Sequence, residues 1–245
     1  MEKRLTDNSG ASKAAIFMIW AVLVGQVAMF FVSYNNYSVW NSLSSGGGVT
    51  QSSLSSSLIL LAVFAMILVL VNLISAITFI VWFKGAYHNI GLKVEKMKYG
   101  EGWAIGCWFV PILNFFRPYE MMNEIFEETN RFFSKKGKDI SLEKDIVGIW
   151  WFAYIIINFV FNVIFRFMEG DSVDPDDQIS FSITWMVYSI VMVPLALVTI
   201  RMIKNYAKAE KALYHFKEDE VKVESNVVET PQEKELESSV NKGIE

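Results

Sequence analysis

The chain has 245 residues, of which 53% are hydrophobic, 15% aromatic and only 20% charged, and its mean hydropathy is +0.31. Soluble domains carry about 25% charge, and here the apolar residues are gathered into long runs, which excludes a disordered chain, a disulfide-stapled secreted domain and an ordinary soluble enzyme. The expectation is a polytopic all-α membrane protein. The net charge of −4, from 22 Lys and Arg against 26 Asp and Glu, hides a segregation of the two signs along the chain. One cysteine, Cys107, allows no intrachain disulfide. Two histidines, His88 and His215, are too few for a typical zinc site even with Cys107 added, and no metal or cofactor is expected.

In chain order, residues 1–13 form a short N-terminus with Lys3, Arg4 and Lys13. The first apolar run, Ala14–Tyr34, is too long for a signal peptide and lacks a small-residue cleavage site, so it reads as an uncleaved span. Asn35–Ser57, with Ser-Ser-Gly-Gly-Gly and further serines, reads as a flexible linker. The second span, Leu58–Phe83, is about 39 Å long as a helix, and must tilt or run into the interface.

The run Trp103–Phe116 has 14 residues and contains Pro111 and Asn114. That length suits a re-entrant or interfacial segment better than a crossing. Its break is expected near Val110–Asn114, because Pro111 pushes Val110 away from helical geometry. Asn114 is the nearest side chain able to satisfy the freed backbone. An amphipathic helix over 118–133 follows, with Pro118 and Glu120 suited to its first turn. Tyr119, Met122, Ile125, Phe126, Thr129, Phe132 and Phe133 share one face, which is expected to pack against the spans.

The third span is Ile146–Met168, and Asn158, Asn162 and Arg166 form one stripe along it. Gln26 and Asn72 are isolated on other spans. Such amides are expected to bond across helices and fix packing; a solute pathway is the alternative. Arg166 is placed to snorkel outward or pair with Glu169. Asp171, Asp174, Asp176 and Asp177 crowd the next loop without the spacing of a calcium-binding hand, and read as an acidic solvated turn. The fourth span, Ile179–Ile200, carries Pro194 as a kink site. Arg201, Lys204, Lys208 and Lys211 then lie on one face of a basic juxtamembrane helix over 201–217, suited to anionic headgroups or to setting topology. Residues 218–245 read as a disordered acidic tail.

Positive charge sets the orientation. Asn35–Ser57 and Glu169–Gln178 contain no Lys or Arg, whereas Lys84–Asp145 contains ten. With four spans every positive residue except Arg166 falls on one side. If Trp103–Phe116 crossed, six of the ten would move across with the acidic loop going the other way. The reading is four spans with both termini cytoplasmic, in the inner membrane.

Trp82 to Asn89, then Gly102-Trp103-Ala104, Trp108-Phe109-Val110-Pro111-Ile112-Leu113-Asn114 and Arg117-Pro118-Tyr119, resemble the signature of the bacterial membrane family called domain of unknown function 4328. The similarity is densest over Ile77–Thr129. Members often have a basic residue where Gly85 stands. The resemblance implies a multi-span membrane protein and no activity, so no catalytic residue follows from it.

Phosphate-binding, zinc-protease and serine-hydrolase motifs are absent. His88, Cys107, Glu101 and Glu120 could act at a membrane surface only if brought within hydrogen-bond reach. Three classes stand: a non-enzymatic scaffold or interaction protein with its functional segment at 99–133, favoured by elimination; a small transporter or channel using the re-entrant segment; and a membrane-surface enzyme. Asn89, Trp103, Trp108, Pro111, Asn114, Arg117, Tyr119 and Glu120 are the candidate binding residues. The lipid bilayer and a protein partner at the cytoplasmic face are the expected contacts, an oligomer is compatible, and nucleic acid is not expected.

Overall fold

The computed structural model describes residues 5–168 and 174–228, with side chains described as far as Tyr214. Its helices are α1 (Ser9–Ser44), α2 (Gln51–Gly91), the short α3 (Trp103–Gly106), α4 (Arg117–Lys135), α5 (Asp145–Met168) and α6 (Pro175–Val228), with a 3-10 turn at Leu113–Phe115. No strand occurs among the described residues. Four helices, α1, α2, α5 and α6, are long and apolar enough to cross a membrane. Val63, Met66, Leu70 and Leu73 on α2 and Phe152, Phe159 and Phe167 on α5 face outward. Water would penalise such a surface. Hydrocarbon does not, and it favours helices because they satisfy their own backbone. The protein is an all-α, multi-pass membrane protein.

α1 packs along α2 on one side and α6 on the other, and α5 packs on α6. The end holding Asn8, Asn89, α4 and Arg201 is termed the basic end, and the end with the α1–α2 turn the far end. Gly25 permits a close approach of α1 to α2, since a Cβ there would come within 2.5 Å of Leu68 Cδ2. Met29, Val32, Leu61 and Leu68 form a small apolar cluster nearby. Asn36 Nδ2 donates to Ser182 Oγ at 2.8 Å, joining α1 to α6.

The main core lies at the basic end, largely beyond the spans. Trp82, Phe83, Tyr87, Met121, Met122, Ile125, Phe126, Phe133 and Tyr206 are all buried there. α4 buries its apolar face against protein, with Phe126 stacked on Tyr206 at 6.0 Å. Tyr119 is half-buried, and Met121 joins the buried set.

Several local expectations are corrected. The 35–57 linker is mostly helix, and only residues 45–50 turn. Its serines are accommodated in helix because their hydroxyls donate to carbonyls of the preceding turn, as Ser42 Oγ does to Ser38 O and Ser57 Oγ to Leu54 O, while Thr50 caps α2 through Ser53 N. Asp174 starts α6, its Oδ1 accepting from Asp176 N at 3.0 Å. Pro175 follows in the first turn, so these acids serve a helix start. Asp171 and Glu169 lie outside the described residues. α6 continues through Pro194 and on to Val228, past the Glu218 expected to begin a disordered tail. Residues 229–245 lie outside the described residues.

A buried polar knot ties the basic end together. Glu210 is 4% exposed. Its Oε1 accepts from Asn89 Nδ2 at 2.7 Å and from Asn8 Nδ2 at 3.1 Å. Asn8 Nδ2 also reaches Trp82 O at 3.0 Å. Asn89 pairs both ways with the Thr6 backbone, at 2.9 Å each. Gly85 makes room for this, because a Cβ there would fall 2.3 Å from Asn8 Oδ1. Glu210 lies ten residues beyond the fourth span. Burial raises its carboxyl pKa from the usual 4.5 to about 7 against the opposing pull of the two amides, with Asp7 raising it further.

Two outcomes are expected. Gly85→Ala expels Asn8 and destabilises the protein by about 1–3 kcal/mol, the cost of orphaned buried polar groups. Adding Asn8→Ala to it costs little more, as thermal unfolding would show. The folded state holds the Glu210 proton more tightly than the unfolded chain. Its contribution therefore declines as pH rises from about 4.5 through about 7, by on the order of 3 kcal/mol. Glu210→Gln flattens that part of the pH profile and raises thermal stability at pH 8. A profile unchanged by the substitution would refute the assignment.

Candidate functional site

Because α1 is flanked by α2 and α6, and α5 lies on the other side of α6, α2 and α5 face each other across a cleft. Its volume is about 320 Å³, at the low end of the roughly 300–1,000 Å³ typical of ligand sites. Asn72, Ser75, Phe79 and Ile80 line it from α2, and Trp150, Tyr154 and Asn158 from α5. α1 and α6 supply Ile19, Val22, Tyr188, Met192 and Ala196. Among the described residues no charged side chain lines it. Asn72 and Asn158 lie about 17–18 Å along their helices from the basic ends of their spans, so both stand near mid-membrane depth.

The segment 103–116 contributes Trp108 to the cleft. The Trp108 ring meets Phe79 and Phe83 of α2 edge-on at 5.7 and 5.9 Å, and Trp151 of α5 at 6.2 Å. Trp150 approaches Phe79 at 5.7 Å. Aromatic packing of this kind adds about 0.5–1.5 kcal/mol per pair beyond area burial. Residues 103–116 thus form a cap that joins the two walls.

The chain does break around Pro111, but the partner for the freed backbone is not Asn114. Trp151 Nε1 donates to Phe115 O at 3.1 Å, whereas Asn114 Oδ1 is buried without a hydrogen-bond partner among the described residues. An indole on a packed helix is fixed in advance, while Asn114 moves with the turn it would have to brace. Phe109, Ile112 and Phe115 point outward, at 72%, 74% and 61% exposure.

Polar tethers hold the cap to the bundle. Tyr99 OH donates to Glu120 Oε2 at 2.7 Å. The Arg117 guanidinium lies 4.2 Å from the Tyr99 ring centroid, and its Nη1 is 3.5 Å from Glu120 Oε2. Tyr87 OH lies 2.8 Å from Glu124 Oε2 and accepts from Tyr99 N at 3.1 Å. Burial and the Glu124 carboxylate raise its pKa well above the usual value. Lys98 N donates to Glu124 Oε1. Beyond α4, Asn130 pairs with both backbone groups of Leu142, at 3.0 and 2.7 Å.

The sequence-derived candidates therefore separate. Trp108 and Asn158 share the cleft. Arg117 and Glu120 brace the cap, Tyr119 packs against the main core, and Trp103 and Pro111 are exposed on the cap. Asn89 belongs to the Glu210 knot. Asn162 and Arg166 are exposed on α5, outside the cleft lining. Asn158 bonds within its own helix, to Tyr154 O at 2.8 Å, and Asn72 does the same with Leu68 O, so neither is the cross-helix strut expected of it. The opposite wall escaped the sequence reading: Asn72 was legible as a polar residue, but its pairing in depth with Asn158 was the unused signal. Asn8 and Glu210 carried no local signal.

The four groups considered for surface chemistry do not form an activated nucleophile. His88 Nδ1 is 3.0 Å from Glu101 Oε1, and Glu120 is engaged by Tyr99. Cys107 is buried, and burial pushes its thiol up to about 11, away from the reactive thiolate. Among the described residues no group of three or more His, Cys, Asp or Glu is placed to hold a metal. Trp151→Phe removes the bond to Phe115 O while keeping an aromatic ring. It is expected to speed amide hydrogen exchange across 107–116 by about three- to tenfold, the size of one modest hydrogen bond, with little change at the Glu210 knot.

No curated protein and no solved structure matches the chain. A family model described as Domain of unknown function (DUF4328) matches residues 46–208. That stretch takes in both walls of the cleft, the cap and the α6 lining. The density of signature residues around the cap, the four membrane-crossing helices and this match agree: the chain belongs to the DUF4328 family of membrane proteins.

Proposed function

We propose that this is a non-enzymatic membrane interaction protein that holds a partner at the lateral cleft and its cap, within the functional segment 99–133. One observation carries the reading: Trp108, a residue of the cap, also lines the cleft, so the two form one continuous surface. The exposed Phe109, Ile112 and Phe115 suit an interfacial position for the cap, where aromatic and apolar side chains anchor. The distribution of Lys and Arg supports both termini in the cytoplasm and the cap on the cytoplasmic face of an inner membrane. Transport is the second reading, favoured by the two amides at mid-membrane depth.

Two experiments test this. Single cysteines at Ser45 and Asp174 are expected to react with an impermeant thiol reagent in intact cells, and cysteines at Lys96 and Lys136 to stay unlabelled; external labelling at Lys136 would overturn the orientation. A benzoylphenylalanine photo-cross-linker at Trp108 is expected to trap a discrete partner, protein or lipid, distinct from the bulk phospholipid trapped from Phe17 on the outer face of α1. Bulk phospholipid alone at both positions would refute the interaction reading. Solute flux in proteoliposomes that Asn158→Leu abolishes without loss of thermal stability would install the transporter reading instead.

A further inference from the structure

The cleft's polar groups constrain what fits it, given the reading of the cleft as a binding surface. Asn72 and Asn158 stand on opposite walls at matching depth. Each Nδ2 donates to a carbonyl of its own helix at 2.8 Å, Leu68 O and Tyr154 O respectively. Only the nitrogen can donate to a carbonyl, so the amide orientation is settled by that contact. Each amide then keeps one N–H and an Oδ1 that accepts from no described residue. The hydroxyl-bearing residues Ser75, Tyr154, Tyr188 and Thr199 also line the cleft.

Three ligand chemistries fail against this lining. Pure hydrocarbon leaves the amides unmet in a medium where that is costly. A charged headgroup finds no counter-ion, because no charged residue among those described lines the cleft. An ether or ketone accepts from the N–H groups but offers nothing to the two oxygens. A hydroxyl does both, since it donates to Oδ1 and accepts from N–H. The aromatic rings of Trp108, Trp150, Tyr154 and Tyr188 suit a flat or slender body beside that hydroxyl. At about 320 Å³ the cleft takes the polar end of a lipid, whose tail leaves between α2 and α5.

We infer that the cleft binds a neutral, hydroxyl-bearing lipid, held by the Asn72 and Asn158 amides at mid-membrane depth. A diacylglycerol and an isoprenoid-type quinol share that chemistry.

The test uses the full chain in detergent micelles and native mass spectrometry with two matched pairs of probes. One pair is dioleoylglycerol and its methyl ether. The other is a decyl-tailed benzoquinol, kept reduced, and the corresponding benzoquinone. The hydroxyl member of at least one pair is expected to bind about three- to twentyfold more tightly than its twin, the range for one or two intramembrane hydrogen bonds. The pair that shows the preference identifies the source. The double variant Asn72→Leu, Asn158→Leu is expected to bind both twins equally. Equal binding of twins by the native chain, or a preference that survives the double variant, overturns the inference. The comparison on the native chain decides even if the variant is unstable. If no probe binds while the Trp108 cross-linker still traps a discrete partner, the hydroxyl-lipid inference fails and the interaction reading stands. If the cross-linker also yields only bulk phospholipid, both fail.

Discussion

The clasp of α1 between α2 and α6 governs the rest of the molecule. Within the membrane it depends on close approach, with Gly25 letting Leu68 lie against the α1 backbone. At the basic end it depends on hydrogen bonds, with Asn8 reaching both Trp82 O and Glu210. Once α1 occupies that position, α5 is left with α6 as its main neighbour. The wall of α2 beyond α1 is then left facing α5 across the cleft, with Phe79 reaching Trp150 towards the basic end. The cleft follows from that geometry, and so does the need for a cap to join its two sides.

The two halves of the molecule are held by different physics. In the spans, apolar side chains face a solvent as apolar as themselves, so association rests on close packing and a few polar contacts such as Asn36 to Ser182. At the basic end the usual hydrophobic effect returns. There α4 covers the ends of α2 and α6 and buries Met121, Met122, Phe126 and Phe133. Burial in water-facing protein contributes roughly 1.5–3 kcal/mol for each large side chain. The basic-end core thus acts as the clamp from which the looser membrane helices extend.

Four spans, the break at Pro111 and the apolar face of α4 were legible because each is written in local composition or periodicity. The extent of α1 and α2 was not. The serines near 35–57 look like linker until a helix gives their hydroxyls carbonyls to bond. The Glu210 knot was hidden for another reason: Asn8 and Glu210 are separated by 202 positions, and nothing local marks either as special. Gly85 is similar, since its missing side chain matters only because Asn8 arrives beside it. The cleft was least legible, because it depends on which two helices do not pack together. Sequence patterns speak to apolar faces and much less to absent contacts.

The span of that Asn8–Glu210 contact has a bearing on how the protein is made. At a synthesis rate of about 5–20 residues per second, Glu210 emerges some 10–40 s after Asn8. Once Trp82 and Asn89 have followed, well before the end of that interval, α1 and α2 can form their hairpin, but one flank of α1 still has no protein neighbour. Lipid or an insertion factor must cover it. Docking of α6 is therefore a late event in biogenesis, and it is the step that converts an inserted hairpin into the finished bundle.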